Sequence, residues 1–370
     1  MATIELAHGC VEQCPACAHR MLSAQDSATR KEKWLREALA PWREQLTPLV
    51  TAPESARWGY RDKLCLTTVW DDNGWRFGVI SRRELIAIPH CPVHSQRAQM
   101  TVQLLAAALP PGPMFPLSFY VQAGAQATLV LKSAQLPAMD WLDDVCIQGL
   151  SAAGIEGLWL HLYPSAGRKV FAKNGWHLLY GRPRSIDESN LAYGPTAFQQ
   201  LLPTLYQRSV DEAEAFLAPA FNDIVIDLYC GLGTTLVRWT ACGACVLGVE
   251  LSGEAVACAR ENAPDAQVLR GACRARLPQL NDWLNVKLDS SRLLYVNPPR
   301  TGLESEVVNW IVAEYRPVRI AYLSCSAGTL RRDLAVLNGA DYRVERITPY
   351  DFFPQTYHVE TLTLLQRLAV

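Results

Sequence analysis

The chain has 370 residues, of which 49% are hydrophobic and 19% charged, and its formal net charge is -1. That length can bury two hydrophobic cores, and that composition excludes a disordered chain. The near-zero charge excludes attraction to nucleic acid by an overall field, so an RNA partner requires a local basic surface.

In chain order, the first feature is a set of cysteines. Cys10, Cys14 and Cys17 form C-x3-C-x2-C, and Cys91 follows well downstream. Three local ligands and a fourth brought by folding the chain back suit a metal centre. Four thiolates alone do not distinguish iron-sulfur from zinc. The chain holds 12 cysteines, and in a reducing compartment these serve ligation, catalysis or burial before disulfides. Cys65 fits burial in a strand, and His19 and His94 read as local surface or hydrogen-bonding residues. No apolar run reaches the roughly 18 residues of a spanning helix, and the first residues lack a signal-peptide core. The expectation is a cytoplasmic protein with no membrane partner.

Residues 30–40 suit a short amphipathic helix that Pro41 ends. Strand-like stretches follow at 63–70, 75–81, 85–88, 127–131 and 158–162, separated by Gly and Pro. Residues 1–185 therefore read as a mostly antiparallel region with an N-terminal appendage. From about residue 186 to 370 the pattern changes. A largely helical stretch over 197–216 leads into a strand at 224–228, a helix at 232–240, a strand at 246–249 and a helix at 253–262. Later strands are expected at 293–296, 320–323 and 361–365. This alternation predicts an open α/β sheet whose ligands gather beyond the carboxyl ends of the strands.

The chemistry-bearing residues fall at those ends. Asp227-Leu-Tyr-Cys-Gly-Leu-Gly233 is a glycine turn between strand and helix, where Gly231 and Gly233 let a ligand approach the backbone. Asp227 suits orienting the amino-acid end of an adenosyl-methionine ligand or satisfying the turn itself. Glu250, nineteen residues after Gly231, ends the next strand and suits two ribose hydroxyls. The turn is not a complete dinucleotide loop, so an adenosyl-methionine site, a dinucleotide site and a plain turn all stay open. Asn297-Pro-Pro-Arg300 follows a third strand with a backbone that two prolines restrict, presenting Asn297 to a planar base. Cys325 follows a fourth strand. A lone cysteine there is usually a small buried hydrophobe, but Glu360 before the last strand offers a general base to pair with it. His358 lies two positions from Glu360, on the same face of an extended segment.

These residues resemble the adenosyl-methionine-dependent RNA uracil-5 methyltransferases, most strongly from Phe198 to Leu365 and on four ordered motifs. Asp227 to Gly233 is similar to that family's donor loop, Asn297 to Gly302 to its base-binding turn, Ser324-Cys325 to its nucleophile, and Phe353 to Glu360 to its general base. The resemblance implies a C-terminal Rossmann-like class I methyltransferase domain beside a cysteine-cluster and antiparallel β region. It implies donor contacts from Gln199, Asp227, Tyr229, Gly231, Gly233, Glu250 and Asn297, covalent addition of Cys325 to C6 of uracil, and removal of the C5 proton by Glu360. It also makes a [4Fe-4S] cluster on Cys10, Cys14, Cys17 and Cys91 the leading interpretation. Two positions depart from the common pattern: Leu201 replaces an asparagine two residues past Gln199, and Asn297 replaces an aspartate, as in a ribosomal RNA branch. The implied substrate is 23S rRNA, with tRNA as the alternative and a non-catalytic RNA-binding ribosome-assembly protein as the competing class. Tyr60-Arg-Asp-Lys63 resembles an RNA-facing segment, and Trp75, Arg76, Arg82 and Arg83 are further candidate contacts. No obligate protein partner is implied, and a monomer is expected.

Overall fold

The computed structural model describes residues 5–285 and 290–368, in two compact units. The first comprises Met1–Met21 and Pro53–Leu201, and the second Leu22–Ala52 and Leu202–Val370. Chain order groups residues 22–52 with the N-terminal region, yet they pack in the second unit. The reason is apolar: helix α1 (Ala24–Ala38) and the turn after it place Leu35, Leu39, Trp42 and Leu46 in that unit's core. Ser23 caps α1 by accepting a hydrogen bond from Asp26 N, and a tighter turn containing Pro41 follows the helix.

In the first unit, β1 (Lys63–Asp71), β2 (Gly74–Ser81), β3 (Glu84–Ala87), β4 (Leu117–Ala123), β5 (Gln126–Leu131), β6 (Gly157–Leu162) and β7 (Trp176–Gly181) form one sheet. Its order is β3-β2-β1-β4-β5-β6-β7, antiparallel except for the β5–β6 pair. The helices α2 (Gln96–Ala108) and α3 (Asp144–Ala152) contribute Val102, Leu105, Cys146 and Leu150 to its core. Strand alternation buries Leu64 and Leu66 and leaves Cys65 exposed, so the expected burial of that thiol is corrected. Strands β8 (Ser185–Ile186) and β9 (Ala192–Tyr193) form a short separate pair.

The second unit continues with α4 (Pro203–Leu217), β10 (Ile224–Leu228), α5 (Thr234–Ala241), β11 (Cys245–Glu250), α6 (Gly253–Asn262), β12 (Gln267–Arg270) and α7 (Cys273–Leu284). Then come β13 (Arg292–Val296), α8 (Ser305–Trp310), β14 (Arg319–Ser324), α9 (Ala327–Asn338), β15 (Tyr342–Tyr350) and β16 (Glu360–Arg367). The helix expected from residue 197 begins only at Pro203, whose missing N–H suits a first helical turn. The sheet order is β12-β11-β10-β13-β14-β16-β15, with β12 to β14 parallel and β16 antiparallel to both its neighbours. Strand order reverses between β10 and β13, the switch point where such sheets open a crevice. Their continuous apolar runs reflect burial on both faces. Among the described residues, no helix is long and apolar enough to cross a membrane.

One charge lies inside this unit. Ser27, Lys31 and Leu35 recur at four-residue spacing and form the buried stripe of α1. Lys31 Nζ reaches Asp351 Oδ1 at 2.6 Å and donates to Phe353 O at 3.1 Å. Replacing Lys31 with methionine leaves the Asp351 carboxylate buried without its cation, which costs about 3–5 kcal/mol. Denaturant titration of Lys31→Met should show a lower midpoint; an unchanged midpoint would contradict the burial of this pair.

Candidate active site and cysteine set

The carboxyl edge of the second sheet gathers the motifs. β10 runs into the glycine turn, β11 ends at Glu250, β13 leads into Asn297, and β14 leads into Cys325. β16 runs the other way, so its first residue, Glu360, starts at the edge where β14 stops. The register pairs Ser324 with Thr361, which brings Cys325 and Glu360 together. Burial pushes the Cys325 thiol above its ordinary value, the nearby Glu360 charge adds to the rise, and the Arg300 guanidinium opposes it.

At the donor turn, Gly231 N donates to Glu250 Oε2 at 3.2 Å and Ser252 N donates to Oε1 at 2.7 Å. These bonds fix the carboxylate at the strand tip. Gly231 has φ +58 and open space where a side chain would stand. Gly233 differs: at φ +88, its missing side chain makes room for Ala259 of α6 rather than for a ligand. Tyr229, at φ +62, packs its ring against the core. Asp227 is fully buried, with Oδ2 accepting from Thr235 Oγ1 at 2.6 Å and Trp239 Nε1 at 2.8 Å. Its Oδ1 has no partner among the described residues, and burial pushes its pKa up to about 7. An open glycine turn, a tethered carboxylate and a buried acceptor without a donor fit an adenosyl ligand that carries ribose hydroxyls and an ammonium group.

At the acceptor turn, Asn297 N donates to Leu228 O at 3.3 Å, tying this turn to the end of β10. Arg300 NH2 lies 3.4 Å from His358 Nε2. Asp333 Oδ2 accepts from Leu303 N at 2.9 Å and from Tyr322 Oη at 2.7 Å, joining the turn to β14. The segment carrying His358 and Glu360 is held from α1 by Lys31 and by Ser27 Oγ, 3.4 Å from Pro354 O. Sequence reading missed Lys31, Asp351 and Asp333 as supports. The available signal was a lysine on the apolar stripe of a helix.

The first unit holds the remaining candidates. Gln199 lies in the non-helical segment after Ala197, whose carbonyl accepts a hydrogen bond from Lys63 Nζ. The exposed Phe198 ring lies 5.5 Å from that amine. His19 and His94 are buried, which excludes the surface alternative and leaves the hydrogen-bonding one, and burial followed by the Arg61 charge pushes His94 down to about 4. The four cysteines Cys10, Cys14, Cys17 and Cys91 interact electrostatically in every pairing. Burial first, and then repulsion led by Cys91, pushes Cys17 up to about 11. A side chain at Gly9 would stand 2.2 Å from His90 O, so the loops bearing Cys10 and Cys91 abut. Arg20 NH1 ties the cysteine loop together by donating to Cys14 O at 2.6 Å and Cys17 O at 3.2 Å. Among the described residues, no group of three or more His, Cys, Asp or Glu side chains is arranged to hold a metal ion. The four thiols lie near enough to one another for each to raise its neighbours' proton affinity. Their mutual proximity fits a shared prosthetic group.

Comparison with known proteins agrees with this layout. A family model described as tRNA (Uracil-5-)-methyltransferase matches residues 195–368. An uncharacterized RNA methyltransferase of Parasynechococcus marenigrum is 30% identical over 84% of this chain and 71% of its own length. The 23S rRNA (uracil(1939)-C(5))-methyltransferase of a Marinomonas species is 28% identical over 96% of this chain and 79% of its own. The crystal structure of Pyrococcus abyssi tRNA (uracil-54, C5)-methyltransferase with S-adenosyl-L-homocysteine shares the fold, with a TM-score of 0.71 at 20% identity over 95% of this chain and 86% of that one. From the carboxyl-edge arrangement and these likenesses together, the chain belongs to the RNA uracil-5 methyltransferase family.

Proposed function

We propose that this protein methylates C5 of a uridine in 23S rRNA through covalent addition of Cys325 to the base. The observation that carries the reading is the meeting of Cys325 and Glu360 at one sheet edge, across the Ser324–Thr361 register from opposite strand directions. When bound, S-adenosyl-L-methionine supplies an electrophilic methyl group on a sulfonium. Uracil C5 is too electron-poor to take that methyl unaided. The Cys325 thiolate forms a bond to C6 and thereby makes C5 nucleophilic. Once C5 is methylated, Glu360 removes the C5 proton, the C5–C6 double bond re-forms, and the S–C6 bond breaks to restore the thiolate. Glu250 suits the ribose hydroxyls, Gly231 the close approach of the donor, and Asp227 the donor's ammonium. Asn297 orients the base by hydrogen bonding, because its amide carries no charge for proton abstraction.

The rRNA assignment is supported by the Marinomonas relative and by the asparagine at position 297, with tRNA as the alternative; either substrate makes the activity cytoplasmic. Cys10, Cys14, Cys17 and Cys91 would hold a [4Fe-4S] cluster, whose contribution is architectural. Iron and sulfide analysis of anaerobically purified protein checks that assignment, and stoichiometric zinc without sulfide refutes it. The function is tested by incubating the protein with labelled donor and unmodified 23S rRNA or tRNA, then identifying the methylated nucleoside by mass spectrometry. Recovery of 5-methyluridine from rRNA is expected; product from tRNA alone, or from neither, overturns the rRNA assignment or the catalytic reading respectively.

The reaction should also depend on pH. Thiolate is the reactive form, and Cys325 lies above its ordinary value. The logarithm of kcat/KM should therefore climb with a slope near one from neutral into alkaline pH. Arg300 opposes the rise in the thiol pKa, so Arg300→Ala should move the profile to higher pH. A flat profile between about pH 6 and 9 would rule out a protonated resting thiol.

A further inference from the structure

We propose that the β2–β3 hairpin presents Arg82 and Arg83 as a paired contact for the phosphate backbone of the substrate RNA, an inference that rests on the RNA methyltransferase reading above. Ser81 pairs with Glu84, leaving a two-residue turn. Arg82 has φ 49 and Arg83 has φ 74, so both are left-handed. This is the type I′ geometry that matches strand twist and favours Asn-Gly, because a Cβ crowds the neighbouring carbonyl in that region. Two successive arginines are a poor choice for folding.

Other hairpins of the same sheet follow the expected chemistry. The β1–β2 turn, Asp72-Asn73, has no residue at positive φ and is followed by Gly74 at φ 107, and the β4–β5 connection uses Gly124 at φ 56, so in both the left-handed position falls on glycine. The requirements of the turn therefore do not explain residues 82 and 83. Both side chains are exposed, and neither makes a hydrogen bond or ion pair among the described residues. Their neighbours are already engaged: Arg76 NH1 meets Asp71 Oδ2 at 3.0 Å, and Trp75 is buried with Nε1 donating to Pro110 O at 2.8 Å. From Gly74 to Arg83 the sequence carries three arginines and no acid. Guanidinium forks match phosphate oxygens in geometry and charge. The rigid turn holds two of them at a sheet edge, where the overall charge of the chain gives no attraction to RNA.

The test compares two double variants of the full chain, each with its metal content matched to wild type: Arg82→Asn with Arg83→Gly, and Arg82→Lys with Arg83→Lys. Binding to an unmodified 23S rRNA transcript is measured over a salt series, alongside thermal unfolding and methylation kinetics. The Asn-Gly variant should unfold about 2–4 °C higher yet bind RNA about tenfold more weakly at low salt, with a salt slope shallower by about 1–2. Its KM should rise more than its kcat falls. The Lys-Lys variant should bind within about threefold of wild type, because the charge is retained. Unchanged RNA affinity and salt slope in the Asn-Gly variant, or a lower unfolding temperature, overturns the proposal. Wild type that makes 5-methyluridine beside an unaffected Asn-Gly variant sinks the hairpin alone; wild type that makes no product sinks the functional reading as well.

Discussion

Cys325→Ala should lose methyl transfer by at least about 10⁴-fold, the scale on which removing a nucleophile acts in covalent enzymes, while its unfolding curve stays close to that of wild type. The side chain is only half-buried at the end of β14 and donates to no strand pairing, so its removal opens little of the core. The loss should be chemical. Without sulfur to add at C6, C5 keeps its poor nucleophilicity, and no protein–RNA band resistant to denaturing electrophoresis should form. The variant should still bind both donor and RNA. Residual turnover within tenfold of wild type would show that C5 reacts without a covalent step, and the mechanism proposed here would fail.

Glu360→Gln should behave differently from Cys325→Ala although both suppress turnover. Glutamine keeps the shape of the buried Glu360 side chain and one acceptor oxygen, exchanges the other for a donating NH2, and cannot take a proton. Addition of Cys325 and methylation at C5 precede the missing step, so a single methyl transfer should proceed and then stall. The expected result is a covalent complex that contains methylated RNA, with steady-state turnover down by about 10²–10⁴. Removing the Glu360 charge should also ease ionisation of Cys325, because that charge raises the thiol's proton affinity. Adduct formation at neutral pH should therefore be at least as fast as in wild type. A variant that neither forms the adduct nor transfers a methyl group would show that Glu360 acts before C5 methylation. The double variant with Cys325→Ala should form no complex, which separates a trapped intermediate from tight noncovalent binding.

The two replacements also separate what local sequence carries from what folding adds. The motif around Asp227 to Gly233 was legible because a glycine turn after an apolar strand has its own backbone chemistry. Gly231 faces open space, whereas Gly233 accommodates Ala259, a residue 26 positions away in sequence, and no local pattern reports such a contact. Cys65 was misjudged because alternation decides which face of a strand is buried only once the register is known. His19 and His94 read as local surface or hydrogen-bonding residues because imidazole suits either environment; the structure buries both, and burial follows from the surrounding fold. The helix expected over 197–216 was displaced to Pro203–Leu217, with residues 197–201 joining the first unit.

By itself the sequence determined the types of several elements of the α/β half but not β12, α7, α8, α9 or β15, together with the glycine turn, the Asn-Pro-Pro-Arg turn, the thiol and the carboxylate, because each of these is written in residues that are neighbours along the chain. Tertiary structure alone decided that β16 runs antiparallel beside β14, that Lys31 of a distant helix holds the segment before Glu360, and that residues 22–52 pack with the second unit. These depend on strand direction and on contacts across roughly 320 positions of sequence, as between Lys31 and Asp351. Hydrophobic burial is non-directional along the chain: it rewards any segment that fills the core, and only the complete packing selects which one does.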